Sequence, residues 1–232
     1  MQIISHSANL TKDSGFVTLE KLDNVLKSPA DMVEVDLNLT KDKELVCFRK
    51  AKLNGFKISQ LTLEQLKKLN PKVVTIQEVF SLINGKKPIL MDIKEYDSDY
   101  YKLFSALMQN FETSDYNYLT AESTNLQLLN DLKKARSDIE TCLKLGMFAS
   151  AQKFHNSNTE SLGAISLPSR YFQDTNDYEL FRDSLDREQK MYALSYNMIL
   201  RERPELFQHY ISAGCDGIVT DEVMELSRRL HR

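Results

Sequence analysis

Cysteine, proline and glycine are scarce in this chain, at three, five and seven of 232 residues. Cys47, Cys142 and Cys215 are widely separated, odd in number and without ligand-type spacing, which excludes a disulfide framework and a cysteine zinc cage. They read as reduced packing residues of a cytoplasmic protein. No Pro/Gly/Ser-rich linker, low-complexity tract or repeat divides the sequence, so one domain over residues 1–232 is expected. An excess of positive charge is also missing. The net charge of −3 excludes a broad basic surface, and with it a general nucleic-acid binder. Apolar runs are strand-sized, so no transmembrane segment is expected. The start, Met1-Gln-Ile-Ile-Ser-His6, lacks the basic and extended apolar regions of a signal peptide.

What is present is an alternation. With 42% hydrophobic residues the chain can build a full core. Strand-like runs occur at Gln2–Ser5, Met32–Leu37, Ile89–Lys94, Tyr116–Thr120, Thr141–Leu145, Ala164–Leu167, Met191–Ser195 and Gly217–Thr220. Amphipathic stretches lie between them: Leu19, Leu22, Val25 and Leu26 share one helical face, as do Leu126, Leu129 and Leu132. Thr62-Leu-Glu-Gln65 and Thr75-Ile-Gln-Glu78 have capping-box spacing. Pro204 can open a helix and Gly214 can close it. Lys41-Asp-Lys43 suits a tight connection to a short extra strand, Leu45–Phe48. Eight strands alternating with helices predict an α/β fold, a parallel TIM (β/α)8 barrel, with a doubly wound open sheet as the alternative.

The chemistry sits at the strand ends. In Met32-Val-Glu-Val-Asp-Leu37 the apolar residues point one way, and Glu34 and Asp36 point the other. Two carboxylates side by side oppose each other's ionisation unless a cation intervenes. His6 follows the first strand, and Asp92 and Lys94 share a face of the third. Any one of these residues could be a solvated strand-end charge. Together at corresponding strand ends, three carboxylates suit a hard, oxygen-preferring ion such as Mg²⁺ or Ca²⁺. A lysine beside them can offset charge or hold a phosphate.

At these residues the sequence resembles the glycerophosphodiester phosphodiesterases, metal-dependent TIM-barrel enzymes. The resemblance is carried by the Glu-x-Asp strand with Leu39-Thr-Lys-Asp-Lys-Glu-Leu-Val46, and by Gly214-Cys-Asp-Gly-Ile-Val-Thr-Asp221. Ile58-Ser-Gln-Leu-Thr-Leu-Glu-Gln-Leu66 and Val74-Thr-Ile-Gln-Glu-Val79 add to it. It implies that Glu34, Asp36 and Asp92 are metal ligands and that Lys94 belongs to the phosphate site. The third ligand is commonly glutamate in the family, and aspartate followed by x-Lys is more similar to the venom-type phospholipases D.

The pattern also breaks. The family's His-Arg-Gly reads His6-Ser-Ala8, and Phe48-Arg-Lys-Ala-Lys-Leu53 puts Arg49 where the second histidine belongs and Lys50 where an aspartate belongs. Thr120-Ala121 stands for the family's Ser-Phe after the fourth strand. Leu194-Ser-Tyr-Asn197 stands for Trp-Thr-Val-Asn, and the chain has no tryptophan at all. Guanidinium stays protonated near neutral pH and cannot shuttle protons. Two outcomes follow for a small phosphodiester or other phosphate-containing ligand. One is altered or reduced hydrolysis, with His6 as acid/base and Arg49 and Lys94 on the phosphate. The other is an inactive barrel that binds such a ligand or a protein partner. His155, His209 and His231 are weak substitutes for the missing group. The oligomeric state has no signature in the sequence.

Overall fold

Alternation along each strand decides which side chains face the middle of the molecule. The computed structural model describes residues 1–11, 16–95, 99–112, 118–146, 154, 162–172, 175–195 and 204–230, with no side-chain description at 175–177. In chain order the first half comprises β1 (Gln2–Ser5), α1 (Leu19–Leu26), β2 (Met32–Leu39), β3 (Leu45–Cys47), β4 (Lys52–Leu53), β5 (Phe56–Lys57), α2 (Leu63–Leu69), α3 (Ile76–Ile83) and β6 (Ile89–Ile93). There follow α4 (Tyr100–Glu112), β7 (Leu119–Ser123), α5 (Leu126–Ala135), β8 (Glu140–Lys144), β9 (Ala164–Pro168) and α6 (Thr175–Asp183). The last elements are β10 (Lys190–Leu194), α7 (Phe207–Ser212), β11 (Gly217–Thr220) and α8 (Val223–Arg229).

Strands β1, β2, β6, β7, β8, β9, β10 and β11 pair in parallel, and β1 pairs with both β2 and β11, which closes the sheet. The fold is a TIM (β/α)8 barrel, as the strand–helix alternation predicted. Ile4, Met32, Leu90, Cys142, Ala164, Tyr192, Leu194 and Val219 fill the barrel as one buried cluster. Gly217 makes room for that filling, since a Cβ there would lie 2.9 Å from the Tyr192 ring. The opposite strand faces, including Val33, Val35, Leu37, Met91 and Ile93, pack with helix residues such as Val25, Val79, Leu107 and Leu132 in the larger core.

Local signals in the sequence place several helices. Thr62 and Thr75 form reciprocal capping boxes with Gln65 and Glu78, satisfying backbone N–H groups that the first helical turn leaves open. Gly214 follows α7 with φ +69°, a left-handed conformation that closes the helix. Pro204 opens a short 3-10 turn ahead of α7. Leu22 and Val25 of α1 are buried, whereas Leu19 in its first turn is exposed.

Several strand bounds shift by one or more residues from the expectation, and the fourth barrel strand shifts most. The fourth barrel strand runs Leu119–Ser123 rather than Tyr116–Thr120, and Tyr116 lies outside the described residues. The strand-end residue is therefore Ser123, and Thr120-Ala121 lies within the strand. The fifth runs Glu140–Lys144 rather than Thr141–Leu145. In the fourth, the inward positions near the mouth, Thr120 and Glu122, are polar, so an apolar run does not mark where that strand ends. Tyr196 and Asn197, of the segment compared with the family's seventh strand, lie outside the described residues, as do His155 and His231. His209 is exposed on α7.

Candidate active site at the barrel mouth

Parallel register gathers the charged groups. Asp36 is paired with Asp92, Asp92 with Glu122, and Glu122 with Cys142, so three carboxylates from adjacent strands share one inward row. Glu34 lies one inward position deeper on β2. The row stands at the carboxyl ends of the strands, the face on which TIM barrels carry their chemistry.

His6 opens a tight turn after β1 in which Ser7 (φ 48°, ψ 36°) and Ala8 (φ 56°) both take left-handed backbone. That conformation costs roughly 1–2 kcal/mol for a residue with a Cβ. The turn has a use: it aims the Ser7 N–H at Glu34 Oε2 (2.7 Å) and the Ser7 hydroxyl at Asp36 Oδ2 (2.9 Å). Ser7 thus engages two carboxylates, one through its backbone and one through its hydroxyl. Glu34 Oε1 is buried and has no hydrogen-bond partner among the described residues. Burial, reinforced by Asp36 and Asp92 and opposed by Lys144 and Lys94, pushes the Glu34 carboxyl well above the ordinary range.

The imidazole of His6 is 2% exposed. Its Nδ1 lies 2.7 Å from Asp221 Oδ1, and its Nε2 lies 3.2 Å from an Arg49 guanidinium nitrogen. Guanidinium only donates, so Nε2 accepts and the ring proton sits on Nδ1, facing Asp221. Asn9 also donates to Asp221 (2.8 Å), and Lys21 donates to Asn9 (2.8 Å). Arg49 therefore turns into the site. Its approach is set by β3, which pairs antiparallel with the end of β2, and by the Phe48 N–H, which donates to the Asp36 carbonyl (2.8 Å).

On the other side of the mouth, Lys94 bonds Asp36 Oδ1 (2.8 Å) and Asp92 Oδ2. Lys144, at the end of β8, bonds the same Asp92 oxygen and Glu122 Oε2 (3.0 Å). Burial alone would raise the Asp92 carboxyl, but the two ammonium groups overcome it and hold it at about 2. Glu122 is fully buried and also accepts from the Ser166 hydroxyl.

All six residues singled out in the sequence thus meet at one mouth: His6, Glu34, Asp36, Arg49, Asp92 and Lys94. The tightest potential ligand group among the described residues is His6, Glu34 and Asp36, whose atoms lie within 4.8 Å of one another. Asp92 is not in that group. Four further participants were missed. Ser7 was read only as a loss of arginine. Asp221 lay inside a quoted motif without a role. Glu122 lies beyond the expected end of its strand, and Lys144 lies inside the expected strand Thr141–Leu145 without a role, although the alternations Leu119-Thr-Ala-Glu122 and Thr141-Cys-Leu-Lys144 put both on the inward face.

An imidazole, inward carboxylates and basic groups meet at the carboxyl ends of the strands of a closed parallel TIM barrel. The sequence profile of the Glycerophosphoryl diester phosphodiesterase family matches residues 14–225, and the chain belongs to that family. It is 27% identical to the glycerophosphodiester phosphodiesterase of Caldanaerobacter subterraneus subsp. tengcongensis, over 95% of this chain and 93% of that protein. Among solved structures it resembles the glycerophosphodiester phosphodiesterase of Thermotoga maritima, with a TM-score of 0.80, 22% identity and coverage of 99% and 98% of the two chains. An Oleispira antarctica phosphodiesterase, solved in complex with the product sn-glycerol-3-phosphate, matches with a TM-score of 0.80, 16% identity and coverage of 100% and 97%. At those identities the solved structures establish the shared fold. Among the described residues no helix is long and apolar enough to cross a membrane.

Proposed function

We propose that this chain is a divalent-metal-dependent hydrolase of a glycerophosphodiester or similar small phosphodiester, working with a single histidine. The observation that carries the reading is the buried group of His6, Glu34 and Asp36, in which Glu34 Oε1 has no hydrogen-bond partner among the described residues. A buried carboxylate oxygen left without a donor is costly, and a hard cation is the partner that relieves it. Glu34 and Asp36, with Asp92 beside them, would hold Mg²⁺ or Ca²⁺. When bound, that ion supplies positive charge against a phosphoryl oxygen.

The protein's own groups divide the remaining work. His6, oriented by Asp221 through Nδ1, presents Nε2 as the proton-transfer atom. Arg49 and Lys94 bring positive charge to the same mouth, where a phosphodiester oxygen would be gripped. The product-bound Oleispira antarctica relative supports a phosphate-bearing ligand. We read residues 1–232 as one functional domain. Three buried, unpaired cysteines suit a reducing, cytoplasmic setting.

A second reading has its own observation. The Arg49 N–H donates to His6 Nε2, so the lone pair needed for proton transfer is already engaged. On that reading the barrel binds a phosphate-bearing ligand without turning it over. The test is release of sn-glycerol 3-phosphate from a panel of glycerophosphodiesters with Mg²⁺ or Ca²⁺. Turnover that is lost on chelation and in His6→Ala and Asp36→Asn supports the hydrolase. Metal-dependent binding of glycerol 3-phosphate with no turnover of any diester overturns it in favour of the second reading.

A further inference from the structure

Lys144 is not needed by the mechanism above, yet it occupies the centre of the site's charge network. It projects from β8, one inward position beyond Cys142, while Asp92 lies two strands away on β6. Its ammonium joins Asp92 Oδ2 to Glu122 Oε2 and its side chain is 15% exposed. Lys94 takes the same Asp92 oxygen from the other side. Glu122 is itself fully enclosed, with the Ser166 hydroxyl on its second oxygen and the Cys142 thiol alongside.

Stability alone does not account for such a pair. Desolvating two charges offsets much of their mutual attraction, and neutral replacements of similar shape are often tolerated. Position does account for it. Glu122 anchors Lys144 where it reaches Asp92, and the compact group of potential ligands is then His6, Glu34 and Asp36, with Asp92 outside it.

We propose that Lys144, anchored on Glu122, is a tethered counter-cation that together with Lys94 occupies Asp92, so that a divalent ion entering at Glu34 and Asp36 must displace a lysine to gain the third carboxylate. The inference rests on the metal-binding part of the proposed function and adds a built-in competitor to it. A fixed positive charge near the ion opposes loading even through water-like screening, where one charge about 6 Å from a divalent ion weakens binding roughly tenfold. An arriving phosphate would draw both ammonium groups and release Asp92. Metal and phosphate ligand then strengthen each other's binding, as reciprocal coupling between sites requires.

The test is Mn²⁺ binding to the full chain, followed by calorimetry or by the loss of the free-ion electron spin resonance signal. Mn²⁺ serves as a probe ion that accepts the same oxygen ligands. Glu122→Gln/Lys144→Met removes the pair without changing net charge, so through-space effects largely cancel and release of Asp92 remains. This variant is expected to bind Mn²⁺ severalfold more tightly than wild type through release of Asp92, and Lys144→Gln, which also removes the lysine's through-space opposition, about tenfold or more tightly. Adding Asp92→Asn should cost more affinity in the double variant than in wild type. A double variant that folds and binds no more tightly than wild type overturns the proposal. So does an equal cost of Asp92→Asn in both backgrounds. Lys144→Gln supplies the same comparison should the double variant not fold. Failure of the hydrolase reading looks different: normal Mn²⁺ binding with no diester turned over. If neither wild type nor variants bind Mn²⁺, both fall.

Discussion

Replacing Arg49 by histidine separates the two functional readings most directly. Arg49 stands 3.2 Å from His6 Nε2 and donates to it. For His6 to accept a proton there, this charge-assisted hydrogen bond must be released, at about 1.5–3 kcal/mol, or roughly 10–100-fold in rate. Arg49→Met removes that restraint but also removes a positive charge from the phosphate end of the site. It should raise KM about tenfold or more, from the loss of one charge-assisted contact. Arg49→His removes the same restraint and adds a second proton-transfer group where the family carries one. A positioned general acid or base contributes typically 10²–10⁴-fold, so kcat of Arg49→His should exceed that of Arg49→Met by about 100-fold or more. The assay is steady-state release of sn-glycerol 3-phosphate with saturating Mg²⁺ or Ca²⁺, with kcat and KM resolved separately and a melting curve confirming the fold. Equal kcat for the two folded, metal-binding variants would refute the reasoning. The missing second histidine would then not be what limits this site.

Three further outcomes are expected. Gly214→Ala puts a Cβ into open space at φ +69°, so its effect is purely conformational; a loss of about 1 kcal/mol in denaturant unfolding is expected, and an unchanged midpoint would contradict it. Thr75→Ala removes the hydroxyl that accepts from the Glu78 N–H and donates to its carboxylate; it should cost about 1–2 kcal/mol, against near-neutrality for an alanine on the exposed face of the same helix. The Asp92 carboxyl titrates at about 2 in the fold. Its unfolded value is near 3.9, so the folded protein binds its proton less readily and the associated stability, about 2 kcal/mol, is present above pH 4 and lost as pH falls towards 2. Acid unfolding curves of wild type and Asp92→Asn should therefore converge at low pH, and curves that stay parallel would remove this assignment.

Much of the fold was readable before any coordinates. Period-two runs separated by amphipathic stretches imply a parallel α/β fold, because only helices on the outer face can cover strands that are apolar on that face. Capping boxes at Thr62 and Thr75 mark helix starts, since they satisfy backbone groups that no tertiary contact supplies. The strand ends at Ser123 and Lys144 were harder to read. Inside this barrel mouth the inward residues are charged or hydroxylic, so the hydrophobic signal stops before the strand does. Glu122 is lost from the site for that reason, whereas Lys144 lies inside the expected strand and gains its place only through its contacts with Asp92 and Glu122.

By itself the sequence determined the strand–helix alternation and the shared strand face of Glu34 and Asp36, because strand periodicity is local and leaves a carboxylate no choice of face. It also places Arg49 where the resemblance implies the family's second histidine. Tertiary structure decided what these groups do to each other. Parallel register brings Asp36, Asp92 and Glu122 into one row from strands far apart in the chain. Closure of the sheet sets Asp221 against His6 across 215 positions of sequence. The β3 pairing turns Arg49 onto the imidazole, and the last residue of β8 delivers a lysine to Asp92. Charge interactions depend on distances in space, and those distances exist only once the barrel has closed.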